Sequence, residues 1–323
     1  MPSFRKPADA AKPRVLLVDD HRGLLDRVST LLSDDFDVAG IATDGGEAIA
    51  AAGRIDPDLI VLDVNLPVLD GFQAMRELAR NGSRASVVFL STVGADEFVG
   101  QAFRCGARGY VQKSQIARDL VSALDHAHQG RYFLPSLTAM VDVLNGGGHA
   151  MQLHSDPEAF LDGLAGFFDA SLRRGDATCI IATPDMRDGL RRRLHARGWD
   201  VGGPSGHERC LVFDEADVAR RYLRDGMPDE RVVAEIAAEL DAYRRAVAQG
   251  PTSRLTIFGN TAEMLITGGN PAAAIALEQQ WNRLTQPLPF LSLCGYATSC
   301  FEAPDLLSSA YAEHGTVSHA AGV

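Results

Sequence analysis

Leu59-Ile60-Val61-Leu62-Asp63-Val64-Asn65-Leu66-Pro67 is a short apolar run that stops at a carboxylate and then turns. The same design recurs on either side of it. Upstream, Val15–Val18 ends in Asp19-Asp20; downstream, Val87–Leu90 ends in Ser91-Thr92 and Gly109–Gln112 ends in Lys113. Between these runs lie helical patterns at Leu24–Leu32, Phe72–Leu78, Glu97–Phe103 and Ile116–His128. The alternation describes βαβ units, hence a parallel sheet with helices on both faces. Ligands of such sheets bind outside the carboxyl ends of the strands, so the residues that end each run are the ones to examine.

If the four strands are neighbours, Asp19, Asp20, Asp63, Ser91 and Lys113 converge at one sheet edge. Like charges about 4 Å apart repel by about 4 kcal/mol at an effective dielectric of about 20, and a hard divalent cation relieves that repulsion. Few oxygen ligands, with room left for water and a phosphate, suit Mg²⁺ better than a closed Ca²⁺ cage. Asp63, the middle carboxylate, is then the candidate nucleophile towards a phosphoryl group, with Lys113 neutralising the transferring oxygens. Taken singly, each aspartate has another reading, as the cap of the helix that follows.

The 323 residues exceed the usual size of one domain, and 46% hydrophobic with 23% charged residues is an ordinary globular balance. Net charge is −11, with 15 Lys/Arg against 19 Asp/Glu up to residue 148 and 16 against 23 beyond it. Neither half has the positive charge expected of a nucleic-acid-binding domain. Five cysteines without a two-residue spacing, no apolar run of membrane-spanning length and no hydrophobic segment behind Met1–Lys12 lead to the expectation of a cytoplasmic protein outside the membrane.

Residues 13–130 resemble the receiver domain of bacterial two-component response regulators, on Val18-Asp19-Asp20, Leu62 to Pro67, Leu69-Asp70-Gly71, Leu90-Ser91-Thr92 and Gly109-Tyr110-Val111-Gln112-Lys113. The resemblance implies a (βα)5 fold in which Asp63 accepts phosphate from a histidine kinase or phosphotransfer protein. It implies Mg²⁺ held by Asp19, Asp20, Asp63 and the backbone carbonyl of Asn65. Ser91 and Lys113 are implied to contact the phosphoryl group, and Tyr110 falls at the family's switch aromatic, expected to move inward on phosphorylation. Ser114 departs from the proline that many receivers carry after the lysine.

Residues 1–12 read as a tail and residues 131–148 as a helical linker closed by glycines. On the linker, Leu137, Met140, Val141 and Leu144 form an apolar stripe, from which a homodimer through this helix is expected. The second half repeats the strand–helix alternation, with runs at Thr178–Ala182, Cys210–Phe213, Leu255–Phe258 and Phe290–Cys294. It lacks a phosphate-binding loop, since Thr183-Pro184-Asp185-Met186-Arg187 follows the first run. It also lacks a GxSxG elbow, and His149 and His154, five apart on an extended segment, face opposite sides and do not share a metal.

Residues 149–303 resemble the MEDS family, a sensory domain named for methanogens and methylotrophs, with residues 304–323 read as a C-terminal tail. The resemblance rests on His149-Ala150-Met151-Gln152, Arg174-Gly175-Asp176, Ala182-Thr183-Pro184, Asp225 to Asp229, Gly269-Asn270, Leu277-Glu278 with Trp281-Asn282, and Leu293-Cys294-Gly295-Tyr296. It implies a degenerate relative of RecA- and circadian-clock-type ATPases, joined to the receiver as a second doubly wound α/β domain. A hydrocarbon-derived ligand or a signalling protein is its implied partner. His149, Glu278, Trp281, Cys294 and Tyr296 are the candidate pocket residues, each of which also reads as a packing or structural side chain. Asn260 stands where the family resemblance leads one to expect Glu. Output is expected through binding rather than catalysis, with a receiver-regulated enzyme or a plain phosphorelay adaptor as the alternatives.

Overall fold

The computed structural model describes residues 11–92, 96–144, 147–201, 208–250, 253–301, 309–310 and 312–319. The tail read at residues 1–12 therefore lies almost wholly outside the described residues. The chain divides into two units, Met1–Pro135 and Ser136–Val323.

In the first unit, β1 (Arg14–Val18), α1 (Arg22–Leu32), β2 (Asp37–Ala42), α2 (Gly45–Ile55), β3 (Leu59–Asp63), α3 (Gly71–Arg80), β4 (Ser86–Ser91), α4 (Asp96–Arg104), β5 (Gly109–Gln112), α5 (Ile116–His128) and β6 (Tyr132–Leu134) follow in order. The strands pair in parallel in the order β2-β1-β3-β4-β5-β6. Alternate strand residues serve alternate faces. Val15, Leu17, Leu59, Val61, Val88 and Leu90 pack against α1 and α5, while Phe89 meets Phe72 of α3 on the other face, ring centroids 5.0 Å apart. β2 was not among the runs read from the sequence: it lies at the sheet edge with only its last residue buried. A half-exposed edge strand has no continuous apolar run to betray it.

The second unit begins with α6 (Leu137–Val143) and continues with β7 (Gly148–His154), α7 (Pro157–Arg173), β8 (Ala177–Ala182), α8 (Pro184–Ala196), β9 (Cys210–Asp214) and α9 (Glu215–Tyr222). A hairpin of β10 (Leu223–Arg224) and β11 (Met227–Pro228) turns on Asp225 and Gly226, both at positive φ (51° and 78°), as a two-residue hairpin turn demands. Then come α10 (Glu230–Val247), β12 (Leu255–Gly259), α11 (Thr261–Thr267), α12 (Pro271–Thr285), β13 (Phe290–Ala297) and β14 (Thr316–His319). The sheet order is β14-β7-β13-β12-β8-β9, all parallel. α9, α10 and α12 cover one face, and Phe160 of α7 reaches Phe258 from the other. Both units are thus doubly wound α/β sheets, as expected.

Two boundary readings are corrected. The helix read as a linker is α6, part of the second unit: Leu137, Met140 and Val141 are buried there, and α6 packs on α7. The apolar stripe is covered within the chain and gives no argument for the expected homodimer. Nor are residues 304–323 a mere tail, because β14 pairs with β7 at the sheet edge; residues 302–308 lie outside the described set. Among the described residues, no helix is long and apolar enough to cross a membrane.

Candidate functional site

In the first unit, parallel register brings the carboxyl ends of four strands into line. Val18 lies beside Leu62, Asp63 beside Leu90, and Ser91 beside Gln112. Asp19, Asp63, Ser91 and Lys113 therefore emerge along one edge. Lys113 Nζ donates to Asp63 Oδ2 at 2.7 Å and forms an ion pair with Asp19 Oδ2 at the same distance. Asp19 Oδ1 accepts from the His21 amide at 2.9 Å, and Asp63 Oδ1 from the Asn65 amide at 3.3 Å. Asp19 and Asp63 are buried whereas Asp20 is exposed, and the three offer oxygens within 4.8 Å of one another.

Asp70 and Gly71 of the motif turn out to be structural. Asp70 caps α3 by accepting from the Gln73 amide at 2.7 Å, and Gln73 returns the bond to the Asp70 amide at 3.1 Å. A Cβ at Gly71 would stand 2.2 Å from the Asp63 carbonyl oxygen, so only glycine lets the helix start this close to the loop behind Asp63.

Burial pushes the Asp63 carboxyl up; Lys113 offsets part of this, and the charge of Asp19 adds to it. Burial would lower Lys113, but its bonds to Asp19 and Asp63 hold it above its ordinary value. Three carboxylates against this ammonium leave negative charge at an oxygen-only site open on the Asp20 side. That donor set fits Mg²⁺. Tyr110 is fully buried and hydrogen-bonded to Ser91. The inward position expected to follow phosphorylation is therefore already held by this structure.

In the second unit, four of the five candidate residues converge. His149 is on β7, Glu278 on α12, and Cys294 and Tyr296 are on β13. His149 Nε2 lies 3.2 Å from Cys294 Sγ and 3.1 Å from Glu278 Oε2, while Cys294 donates to Glu278 Oε2 at 3.6 Å. The Tyr296 hydroxyl donates to Glu278 Oε1. Trp281 does not join them. Its indole N–H donates to Ser292 Oγ at 2.9 Å, and its ring helps to line an apolar cavity of about 80 Å³ together with Tyr222, Ile257 and Leu277. Glu278 and Cys294 border that cavity too. Burial pushes Glu278 up, but the imidazoles of His314 and His149 and the bonds from His149 and Tyr296 bring it down to about 2.

Residues 148–313, about half of the chain, match the family described as the methanogen/methylotroph DcmR sensory domain, MEDS. Residues 15–125 match the response regulator receiver domain. The chain belongs to the MEDS family and carries a receiver domain. The receiver is 36% identical over 122 residues to the nitrate/nitrite response regulator protein NarL of Escherichia coli K12, covering 37% of this chain and 56% of that one. It is 32% identical over 100 residues to the chemotaxis protein CheY of Halobacterium salinarum, covering 31% of this chain and 83% of that one. The chain thus spans just over half the length of NarL. Among solved structures, the receiver domain of the putative response regulator NarL from Mycobacterium tuberculosis is 29% identical with a TM-score of 0.37, over 38% of this chain and all of that one.

The MEDS domain contains one site residue that the sequence reading missed. His314 stacks near His149, ring centroids 4.2 Å apart, and its Nε2 lies 3.6 Å from Glu278 Oε2. A single histidine in a stretch read as tail has no periodicity to mark it. The usable signal was Gly315 followed by Thr316-Val317, a helix stop before a β-branched pair.

Proposed function

We propose that the chain is a response regulator whose Asp63 accepts a phosphoryl group from a histidine kinase or phosphotransfer protein, with the MEDS domain as a ligand- or protein-binding output. The observation that carries this reading is the Lys113 ammonium, which lies 2.7 Å from both Asp63 and Asp19 at the strand ends. When a phosphohistidine is the donor, the Asp63 carboxylate forms the new O–P bond as the P–N bond breaks, and the imidazole leaves as the neutral base after taking up a proton. Lys113 is already in place to neutralise the transferring oxygens. Mg²⁺, when bound, supplies further neutralisation; Asp19, Asp20, Asp63 and the Asn65 carbonyl are the residues to hold it. Ser91, at the end of β4, is the hydroxyl to contact the phosphoryl group, and doing so exchanges its bond to Tyr110 for a new one. That exchange couples phosphate to the β4–β5 face.

The reading makes the MEDS domain non-catalytic and a non-binder of nucleic acid. Its support is the acidic second half and the loop after β8, where Thr183 caps α8 and Pro184 opens it in place of a glycine-rich phosphate cradle. Five free cysteines accord with a reducing, cytoplasmic setting.

The test uses a small phosphodonor with Mg²⁺. Wild-type protein is expected to take up one acid-stable, hydroxylamine-labile phosphate, and Asp63→Asn to take up none. Undiminished labelling of Asp63→Asn rejects the assignment.

A further inference from the structure

The four side chains of the MEDS cluster come from distant parts of the chain and are all metal-ligating types. His149, Glu278, Cys294 and His314 each offer one ligand atom, all within 4.8 Å of one another. The separations are 3.1 Å for His149 Nε2 to Glu278 Oε2, 3.2 Å for His149 Nε2 to Cys294 Sγ, and 3.6 Å for both Cys294 Sγ and His314 Nε2 to Glu278 Oε2. In tetrahedral zinc sites, bond lengths of about 2.0 to 2.3 Å put ligand atoms about 3.3 to 3.8 Å apart. We propose that these four residues form a zinc site at the polar end of the apolar cavity in the MEDS domain.

Proton placement argues for it. The Asn282 side-chain amide donates through Nδ2 to the Glu313 carbonyl, which turns its Oδ1 towards His149 Nδ1 at 2.7 Å. His314 Nδ1 lies 2.7 Å from the Ala310 carbonyl. Both partners are acceptors, so each histidine in its neutral form carries its proton on Nδ1 and turns an Nε2 lone pair inward, as metal-bound histidines do when their outer nitrogen is anchored. Two Nε2 lone pairs then converge on a carboxylate oxygen, an arrangement that a cation among them satisfies. Tyr296 anchors the other carboxylate oxygen.

Zinc also satisfies charge balance at this buried site. One Zn²⁺, one Cys294 thiolate and one Glu278 carboxylate sum to zero with neutral histidines, so the buried site carries no net charge. Metal binding displaces the thiol proton now directed at Glu278. The donor set of one sulfur, two nitrogens and one oxygen is tetrahedral zinc chemistry and unlike the oxygen-only cluster of the receiver.

The full-length protein is to be stripped with a chelator and titrated with Co²⁺ alone. One equivalent is expected to produce the visible bands of tetrahedral cobalt and a near-ultraviolet thiolate-to-cobalt band, and Zn²⁺ to bleach both. The receiver's oxygen ligands give no thiolate band, so the two sites are told apart in one sample. Cys294→Ser is expected to lose the thiolate band. Asn282→Ala, which keeps all four ligands, is expected to weaken zinc binding by about 10- to 100-fold. Absence of the thiolate band in wild-type protein at excess Co²⁺ overturns the proposal whatever the variants do, as does a band undiminished in Cys294→Ser.

Discussion

At the N-terminus of α9, Glu215 is 7% exposed and shares its surroundings with Glu263 and Asp214. Burial raises its carboxyl, the two neighbouring carboxylates raise it further, and Arg187 only partly opposes them, which leaves it at about 7. An unfolded chain titrates the same group near 4.3. The folded state therefore binds this proton more tightly than the unfolded state does. Its contribution to stability is complete below about 4.3 and is lost as the pH rises to about 7. Glu215→Gln keeps the shape and removes the titration. It is expected to flatten the loss of stability of the MEDS domain between those pH values, with the largest gain over wild type at and above neutrality. Urea melts at pH 5 and pH 7.5 decide; equal gains at both pH values reject the assignment. The same carboxylate cluster shows why single residues can mislead when read from sequence. Asp19, Asp63 and Lys113 were legible because each ends a strand in a familiar order, whereas nothing in the string Phe213-Asp214-Glu215-Ala216 reveals that Glu263 lies beside it.

The helix α6 shows where legibility ends at the next scale. Its cap and stripe were readable: Ser136 accepts from the Ala139 amide at 3.2 Å, and the apolar spacing is real. What holds the end of the helix was not readable, because the answer lies in Arg254, more than a hundred residues later. Arg254 is 1% exposed and donates to the carbonyls of Val141 and Leu144 at the C-terminal end of α6. Its guanidinium also pairs with buried Asp176 at 3.1 Å. A buried cation thus meets the last carbonyls and negative dipole end of a helix, with its charge balanced by one carboxylate. Asp176 stands in the Arg174-Gly175-Asp176 motif, so the structural account of that motif is the anchoring of α6. Removing one partner of a buried ion pair costs about 3 to 5 kcal/mol. Asp176→Ala is expected to destabilise the MEDS domain by that amount in denaturant unfolding, without altering phosphate uptake at Asp63. A loss below about 1 kcal/mol, the scale of an exposed pair, contradicts the anchoring role.

Across the whole molecule, the consequence is a domain boundary that lies at Pro135–Ser136 rather than at the glycine run before β7. Composition favoured the later position, since Asn145-Gly146-Gly147-Gly148 is the most linker-like stretch between the two alternating halves. Gly147, however, sits at a φ of 95°, and a Cβ there would lie 2.5 Å from the Phe290 carbonyl oxygen. This glycine serves a close approach to β13 within the second unit as well as a turn. A fragment of residues 148–323 lacks Leu137, Met140 and Val141, each worth about 1.5 to 3 kcal/mol of burial when aliphatic and large. It also leaves Arg254 donors without their carbonyls, at about 1 to 3 kcal/mol. Together these losses rival the whole stability of an ordinary domain, about 5 to 15 kcal/mol. A fragment of residues 136–323 keeps all of them. Both fragments lack the receiver, so their difference isolates α6 and its connection to β7. The longer one is expected to melt cooperatively and the shorter one to be unfolded or aggregated at 25 °C. If circular dichroism shows the two melting alike, α6 contributes nothing to the second unit and the boundary belongs at the glycines after all.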